Sequence, residues 1–433
     1  MRPLARVVGL TLFAWGCGSG ESPDPATVGA GGNSTSAGGS NSAGSSAAGA
    51  HSAGTSGNSS SGGTAAANAG ANTGGMNAGG DSAAAGSGGT AEPLPADPCI
   101  ADDSCPAGEW INVTPADLVY PEFGPGPVVK NPGKPSDLYM GGGGDGLWKS
   151  SDYGNTWSKI NEDIGYIPMG LVVAVAPTEP ATIIAAGFRF VQKSIDDGVT
   201  FQMFDFDFPD SLYSIQVDPY DPQHLISGLH EIDGIVESID GGETWQYVGT
   251  TGFPSGGKSW YVFFLDDGDA TSTRGTWLAI AQDGGSVTKT DDGGQSWRVP
   301  TGVQGLQHAH GNAQIFQQGQ SVFVAGVQGE DGDGMYKSDD AGESFVKVTD
   351  GSLSIAWGSE NNVYGMWAWA CAGCDLGSGF TVAALPAGDT WSKPTVPAAM
   401  NIGANHMAVT SDGTHTIFVG TMWSAGVWRY IEP

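Results

Sequence analysis

Ser150-Ser151-Asp152-Tyr153-Gly154-Asn155-Thr156-Trp157 is the first of five copies of Ser/Thr-x-Asp-x-Gly-x-Thr/Ser-Trp/Phe. The others run Ser194 to Phe201, Ser238 to Trp245, Thr290 to Trp297 and Ser338 to Phe345. Their aspartates, Asp152, Asp196, Asp240, Asp292 and Asp340, are separated by 44, 44, 52 and 48 residues. Self-similarity at such a period denotes a radial or stacked array of small units. Each copy also reads as a turn. The Asp carboxylate can accept backbone N–H groups, the Gly can take positive φ, and the flanks leave as antiparallel strands. The closing aromatic opens the next strand and is large enough to fill a gap between neighbouring sheets.

A second phrase precedes three of these turns. Asn131-Pro132 with Pro135, Ala176-Pro177 with Pro180, and Asp218-Pro219 with Pro222 are each followed three residues later by Leu138, Ile183 and Leu225. Each reads as a Pro-containing turn between two short strands. One unit is therefore strand A, Pro turn, strand B, loop, strand C, Asp turn, strand D. A sixth, degenerate unit keeps Gly388, Thr390 and Trp391. A seventh, from His406 to Tyr430, ends one strand short. Glu109-Trp110-Ile111-Asn112-Val113 resembles the strand after each turn, so it is expected to complete the last unit and close the ring without open edges.

The five turns resemble the Asp-box, or BNR, repeats of β-propellers such as sialidases, xyloglucanases, sortilin-type receptors and photosystem II assembly factors. The resemblance covers roughly Trp110 to Tyr430 and implies an all-β, seven-bladed β-propeller. It leaves function open, since those relatives include enzymes, receptors and assembly factors.

Outside that body the chain changes character. Residues 1–17 read as a secretion signal, with Arg2 and Arg6, an apolar run from Val7 to Trp15, then Gly16-Cys17. The segment resembles a bacterial lipoprotein signal, which implies lipidation of Cys17; an ordinary cleaved signal with an incidental Cys reads the same way. Residues 18–96 are mostly Gly, Ser, Ala, Asn and Thr, with no Lys or Arg and almost no large apolar side chain. Such a composition cannot offset its ordering entropy and is expected to be a disordered linker, spanning about 50 Å for ~80 residues. Residues 97–433 form the propeller. The expected setting is an exported, membrane-anchored lipoprotein, periplasmic or on the cell surface, and monomeric. In an exported chain, Cys99, Cys105, Cys371 and Cys374 fall into two close pairs that suit small-loop disulfides. A four-thiolate zinc site is the alternative. Residues 97–433 carry 14 basic and 42 acidic side chains, a balance of −28. That excludes nucleic acid as a partner on electrostatic grounds.

In an antiparallel four-stranded blade the A–B and C–D turns share one rim, here called the bottom. The B–C loops and the starts of the A strands share the other. The top therefore collects Asp145, Arg189, His230, Glu231, Asp283, Glu330, Asp331, Asp333, Trp367, Trp369 and Trp423 in B–C loops. Tyr213, Trp260, Tyr261, His308, His310, Asn312 and His406 fall at or near A-strand starts.

Three chemistries compete for this set. Aromatics over an acidic rim suit sugar rings or peptide segments, with Trp260, Trp367, Trp369 and Trp423 as stacking candidates or as core. His308-Ala309-His310, with His406 two blades on, offers a His–x–His chelate for a divalent metal, or hydrogen-bonded structural histidines. Glycoside hydrolysis requires two carboxyl groups, as Asp145 with Asp283 or Glu231 with Asp331 would supply. The resemblance to sialidases implies three substrate-binding arginines, yet the propeller has only Arg189, Arg274, Arg298 and Arg429. Arg298 follows a bottom turn and Arg429 lies at the last C strand. A non-catalytic binding module for carbohydrate or protein is the leading expectation, a hydrolase the alternative, and no cofactor is required.

Overall fold

A computed structural model describes residues 96–120 apart from 103 and 106, 124–162, 172–187, 190–249 apart from 210, 251–309 apart from 255 and 283, 313–366, 380–400 and 403–433. The strands pair into seven separate antiparallel sheets, which are the blades of a β-propeller. Only two short α-helices occur among the described residues, Pro98–Ala101 and Ala270–Gly275.

Blade 1 shows the pattern: A Val128–Asn131, B Lys134–Gly141, C Leu147–Ser150, D Ser158–Asn161, each bonded to the next. Blades 2, 3, 5 and 6 repeat it from Val172, Gln216, Ile315 and Ile355. Blade 7 is finished by the N-terminal strand Trp110–Asn112, which pairs Trp110 with Tyr430, Ile111 with Arg429 and Asn112 with Trp428. The ring thus closes as the unpaired seventh unit requires. Blade 4 departs twice from the expected plan. Its A–B connection is the helix Ala270–Gly275, N-capped by Asp269, which accepts the Thr271 and Ser272 N–H groups. Its fourth strand shrinks to one reciprocal pair between Lys289 and Arg298, at 2.8 and 3.0 Å, because Pro300 ends the ladder.

Packing between blades follows from which residues face sideways. Between blades 3 and 4, Ile226, Ile235, Trp260, Trp277 and Trp297 form one buried cluster. Between blades 7 and 1, Val419, Val427 and Ile431 meet Leu138, Met140 and Trp148. The closing aromatics Phe201, Trp245, Trp297 and Phe345 all sit in such clusters.

Candidate functional site

Bottom and top rims are distinguished by backbone bonds. The residue after each repeat aspartate (Tyr153, Asp197, Gly241, Gly293, Ala341) donates its N–H to the A–B turn of its own blade, at 2.8 to 3.1 Å. Asp turns and A–B turns therefore share a rim. Within the first turn, Ser150 Oγ donates to Asp152 Oδ1 at 2.8 Å and accepts the Gly154 N–H at 2.8 Å. Asp152 then accepts the Thr156 N–H at 2.8 Å and the Thr156 hydroxyl at 2.6 Å. The other four copies repeat this arrangement around Asp196, Asp240, Asp292 and Asp340. The Thr200 hydroxyl and N–H hold the Asp196 carboxyl down at about 2. For Asp340, burial pulls upward, but the Ser344 and Ser338 hydroxyls outweigh it and hold it at about 2. With their oxygens engaged by the hydroxyls and N–H groups of their own turns, these five aspartates are architecture.

The same rim carries a feature the repeat pattern did not anticipate. The residue just before each turn is Lys149, Lys193, Lys289 or Lys337 in four copies and Glu237 in the third. Each lysine reaches the turn of the next blade. Lys149 pairs with Asp197, Lys193 with Glu243 at 3.0 Å, and Lys289 with Glu343; Lys337 donates to the Ala387 carbonyl at 3.0 Å. Arg429 of blade 7 does the equivalent, its Nε donating to the Tyr153 carbonyl of blade 1 at 2.9 Å. Arg429 is fully buried and also pairs with Asp97, whose carboxylate caps the helix carrying Cys99. The disulfide Cys99–Cys105 forms as expected and packs against the same guanidinium. Cys371 and Cys374 lie outside the described residues.

On the top rim, Ser259 is the centre of the arrangement. Its backbone is left-handed at φ 52°, its hydroxyl accepts the Glu231 N–H at 3.0 Å, and its carbonyl faces His308 Nε2 at 2.7 Å. Glu231 is itself left-handed at φ 55° and exposes half of its side chain, its Oε1 3.6 Å from His230 Nε2. His230 packs on Tyr213, and Tyr213 packs on Tyr261, both with ring centroids 4.8 Å apart. His308 closes the group at 5.0 Å from Tyr261. The loops of blades 3, 4 and 5 thus bring together Tyr213, His230, Glu231, Ser259, Tyr261 and His308. Ser259 carried no sequence signal, since only the fold reveals that its two oxygens are shared by different blades.

Several expectations need correction at this rim. Trp260 is completely buried, its Nε1 donating to Asp233 Oδ1 at 3.0 Å, so it packs blades 3 and 4 and meets no ligand. Tyr261, 8% exposed, is likewise core, because it lies on the sideways face of its strand. His308 faces carbonyl oxygens through both ring nitrogens, Ala309 and Ser259, each at 2.7 Å, so neither nitrogen is open to a metal. Asp145 is tied to Lys159 at 2.6 Å and accepts the Val119 N–H at 3.1 Å, which makes it a loop anchor. His406 is kept neutral because burial pushes it down to about 4, and its Nδ1 has no hydrogen-bond partner among the described residues. No group of three metal-ligating side chains occurs among the described residues. Asp331 is exposed and Trp423 half-buried. Arg189, Asp283, His310, Asn312, Trp367 and Trp369 lie outside the described residues. Of the described arginines, Arg274 pairs with Asp221 beside the bottom helix at 2.7 Å, Arg298 pairs with Asp291, and Arg429 is buried. None stands on the top rim.

Seven sheets in a closed ring with five equivalent Asp turns define an Asp-box β-propeller. Neither a protein-family model nor a curated protein matches this chain. Solved structures do share its fold. The GH74 xyloglucanase from Xanthomonas campestris is 15% identical with a TM-score of 0.52, the match covering 74% of this chain and 53% of that one. An ancestral GH74 enzyme is 17% identical at a TM-score of 0.51, covering 73% and 45%. YCF48 from Cyanidioschyzon merolae is 14% identical at a TM-score of 0.47, covering 75% and 99%. This chain thus spans about half the length of the two GH74 structures.

Proposed function

We propose that the protein is an exported binding module, lipid-anchored through Cys17, that recognises a carbohydrate or protein ligand on the top rim of blades 3 to 5 without chemically altering it. The observation that carries this reading is Glu231. It is an exposed carboxylate in a strained backbone conformation, held by Ser259 and paired with no lysine or arginine among the described residues. Strained backbone persists where its surroundings over-determine it, and such positions concentrate at sites of function. Asp145 already has a lysine partner, which disfavours its use as a catalytic acid. The chain enters the propeller beside Arg429 and Tyr153 on the bottom rim.

Affinity electrophoresis against neutral polysaccharides, together with capture of basic peptides, tests the site. Glu231→Ala is expected to weaken whichever interaction is found by about tenfold, the value of one charged hydrogen bond. Undiminished binding in that variant would remove this rim from consideration.

The hydrolase reading keeps one supporting observation. Partial burial pushes up the carboxyl of Asp233, while the hydrogen bond from Trp260 opposes the shift. Asp233 stands two residues from Glu231, so an acid of raised pKa adjoins an exposed carboxylate. Release of reducing ends from a polysaccharide, lost in Asp233→Asn with the fold intact, would establish turnover instead.

A further inference from the structure

We propose that His224 is a pH-sensitive clasp at the junction of blades 3 and 4, bridging Asp218 and Glu237 when doubly protonated and releasing one of them when neutral. Its Nδ1 lies 2.8 Å from Asp218 Oδ2 and its Nε2 2.9 Å from Glu237 Oε1. Imidazole and Asp218 are both 1% exposed, and Glu237 is one-fifth exposed. A neutral ring has one N–H, so its second nitrogen would turn a lone pair toward a carboxylate oxygen under 3 Å away. Only the imidazolium satisfies both partners.

The position gives the clasp its meaning. Glu237 occupies the place that lysine holds before the other four Asp turns. The next turn matches this change: it carries Gln295 where Glu243 and Glu343 meet Lys193 and Lys289 in other blades. The imidazole reaches into blade 4, with its centroid 5.2 Å from Phe264 and 6.0 Å from Trp277. Trp277 belongs to the same buried cluster as Trp260, the residue that follows Ser259. Near the bottom of this junction Arg274 also pairs with Asp221 at 2.7 Å, and the Tyr220 hydroxyl donates to Asp266 at 2.9 Å.

The groups facing the ring are Asp218 on strand A, Glu237 on strand C, Asp221 at the start of strand B, Arg274 on the blade 4 helix, and the apolar faces of Phe264 and Trp277. Burial lowers the imidazole pKa, the two carboxylates raise it and Arg274 opposes them, with a net rise above 6.5. A histidine raised on folding stabilises fully below its unfolded value of about 6.5, and the contribution is lost as pH climbs through the folded value.

The test measures Tm from roughly pH 6 to pH 9 for the whole chain and for His224→Gln. It also follows the His224 ring resonance, assigned through its contacts to Phe264 and Trp277. The clasp requires an imidazole midpoint above 6.5 that drops in Glu237→Gln, and a fall in Tm with rising pH that is smaller in His224→Gln. If His224→Gln does not fold, the midpoints of wild type and Glu237→Gln decide alone. A midpoint at or below 6.5, one that Glu237→Gln leaves unmoved, or equal slopes of Tm in wild type and His224→Gln would overturn it.

Discussion

On the bottom rim, carboxylates such as Asp152 and Asp340 sit inside turns of one design, their oxygens taken by the N–H and the hydroxyl of the residue four positions on. On the top rim, Glu231 and Asp233 sit in one loop, His230-Glu231-Ile232-Asp233-Gly234, of which the other blades repeat at most the Asp-Gly step, as Asp145-Gly146 and Asp333-Gly334 do. One repeated lysine position belongs to the bottom alone: Lys149, Lys193, Lys289 and Lys337 each cross to the next turn. The difference teaches that repetition here stabilises the ring, and departure from repetition marks where the molecule has been adapted. Blade 3 departs on both rims, with Glu237 below and Glu231 above.

The largest test of that division concerns Arg429. Replacing it with Met leaves Asp97 buried without a counter-charge, so Arg429→Met is expected to cost about 3–5 kcal/mol in urea unfolding. The double variant with Asp97→Asn should recover part of the loss. Equal losses in both would show that the ion pair does not hold the ring closed.

Next comes the geometry of the turns. Gly154 has φ 79°, and a Cβ there would lie 2.5 Å from Val419 Cγ2 of blade 7. Gly154→Ala should destabilise by about 2 kcal/mol or more, through strain plus a clash between blades. Gly319 also has positive φ, at 58°, but faces open space. Gly319→Ala should therefore cost only about 1 kcal/mol. Thermal unfolding distinguishes the two, and equal losses would mean that close approach of blades adds nothing.

The smallest effect belongs to one surface pin. Lys193→Met breaks a pair whose Glu243 partner is half exposed, so its expected cost is below about 1 kcal/mol. A larger loss would imply that the pins act as a connected belt.

Much of the architecture was legible because it depends on local chemistry repeated at a fixed period. A Ser, an Asp two residues later and a Gly two beyond that form their turn wherever they occur, and Gly388 keeps its positive φ of 61° in the degenerate blade 6. The lysine before four of the five turns was equally visible as text. Its role was not, since its partner lies 48 to 54 residues away and only the ring sets them face to face. The candidate site was legible by rim but not by residue. Alternation along a strand cannot say whether Trp260 faces a ligand or the next blade, and the structure answers by burying it completely. Nor could spacing reveal that both nitrogens of His308 are turned toward carbonyls.

The sequence by itself determined the number of blades, the strand that closes the last one and the rim on which each loop emerges, because these follow from turn chemistry and strand direction. Tertiary structure alone decided which side chains share a neighbourhood. Asp97 and Arg429 meet across 332 positions and Ser259 and His308 across 49, and no pattern within a single repeat encodes such pairings. Burial then sets which of them remain charged and exposed to a ligand.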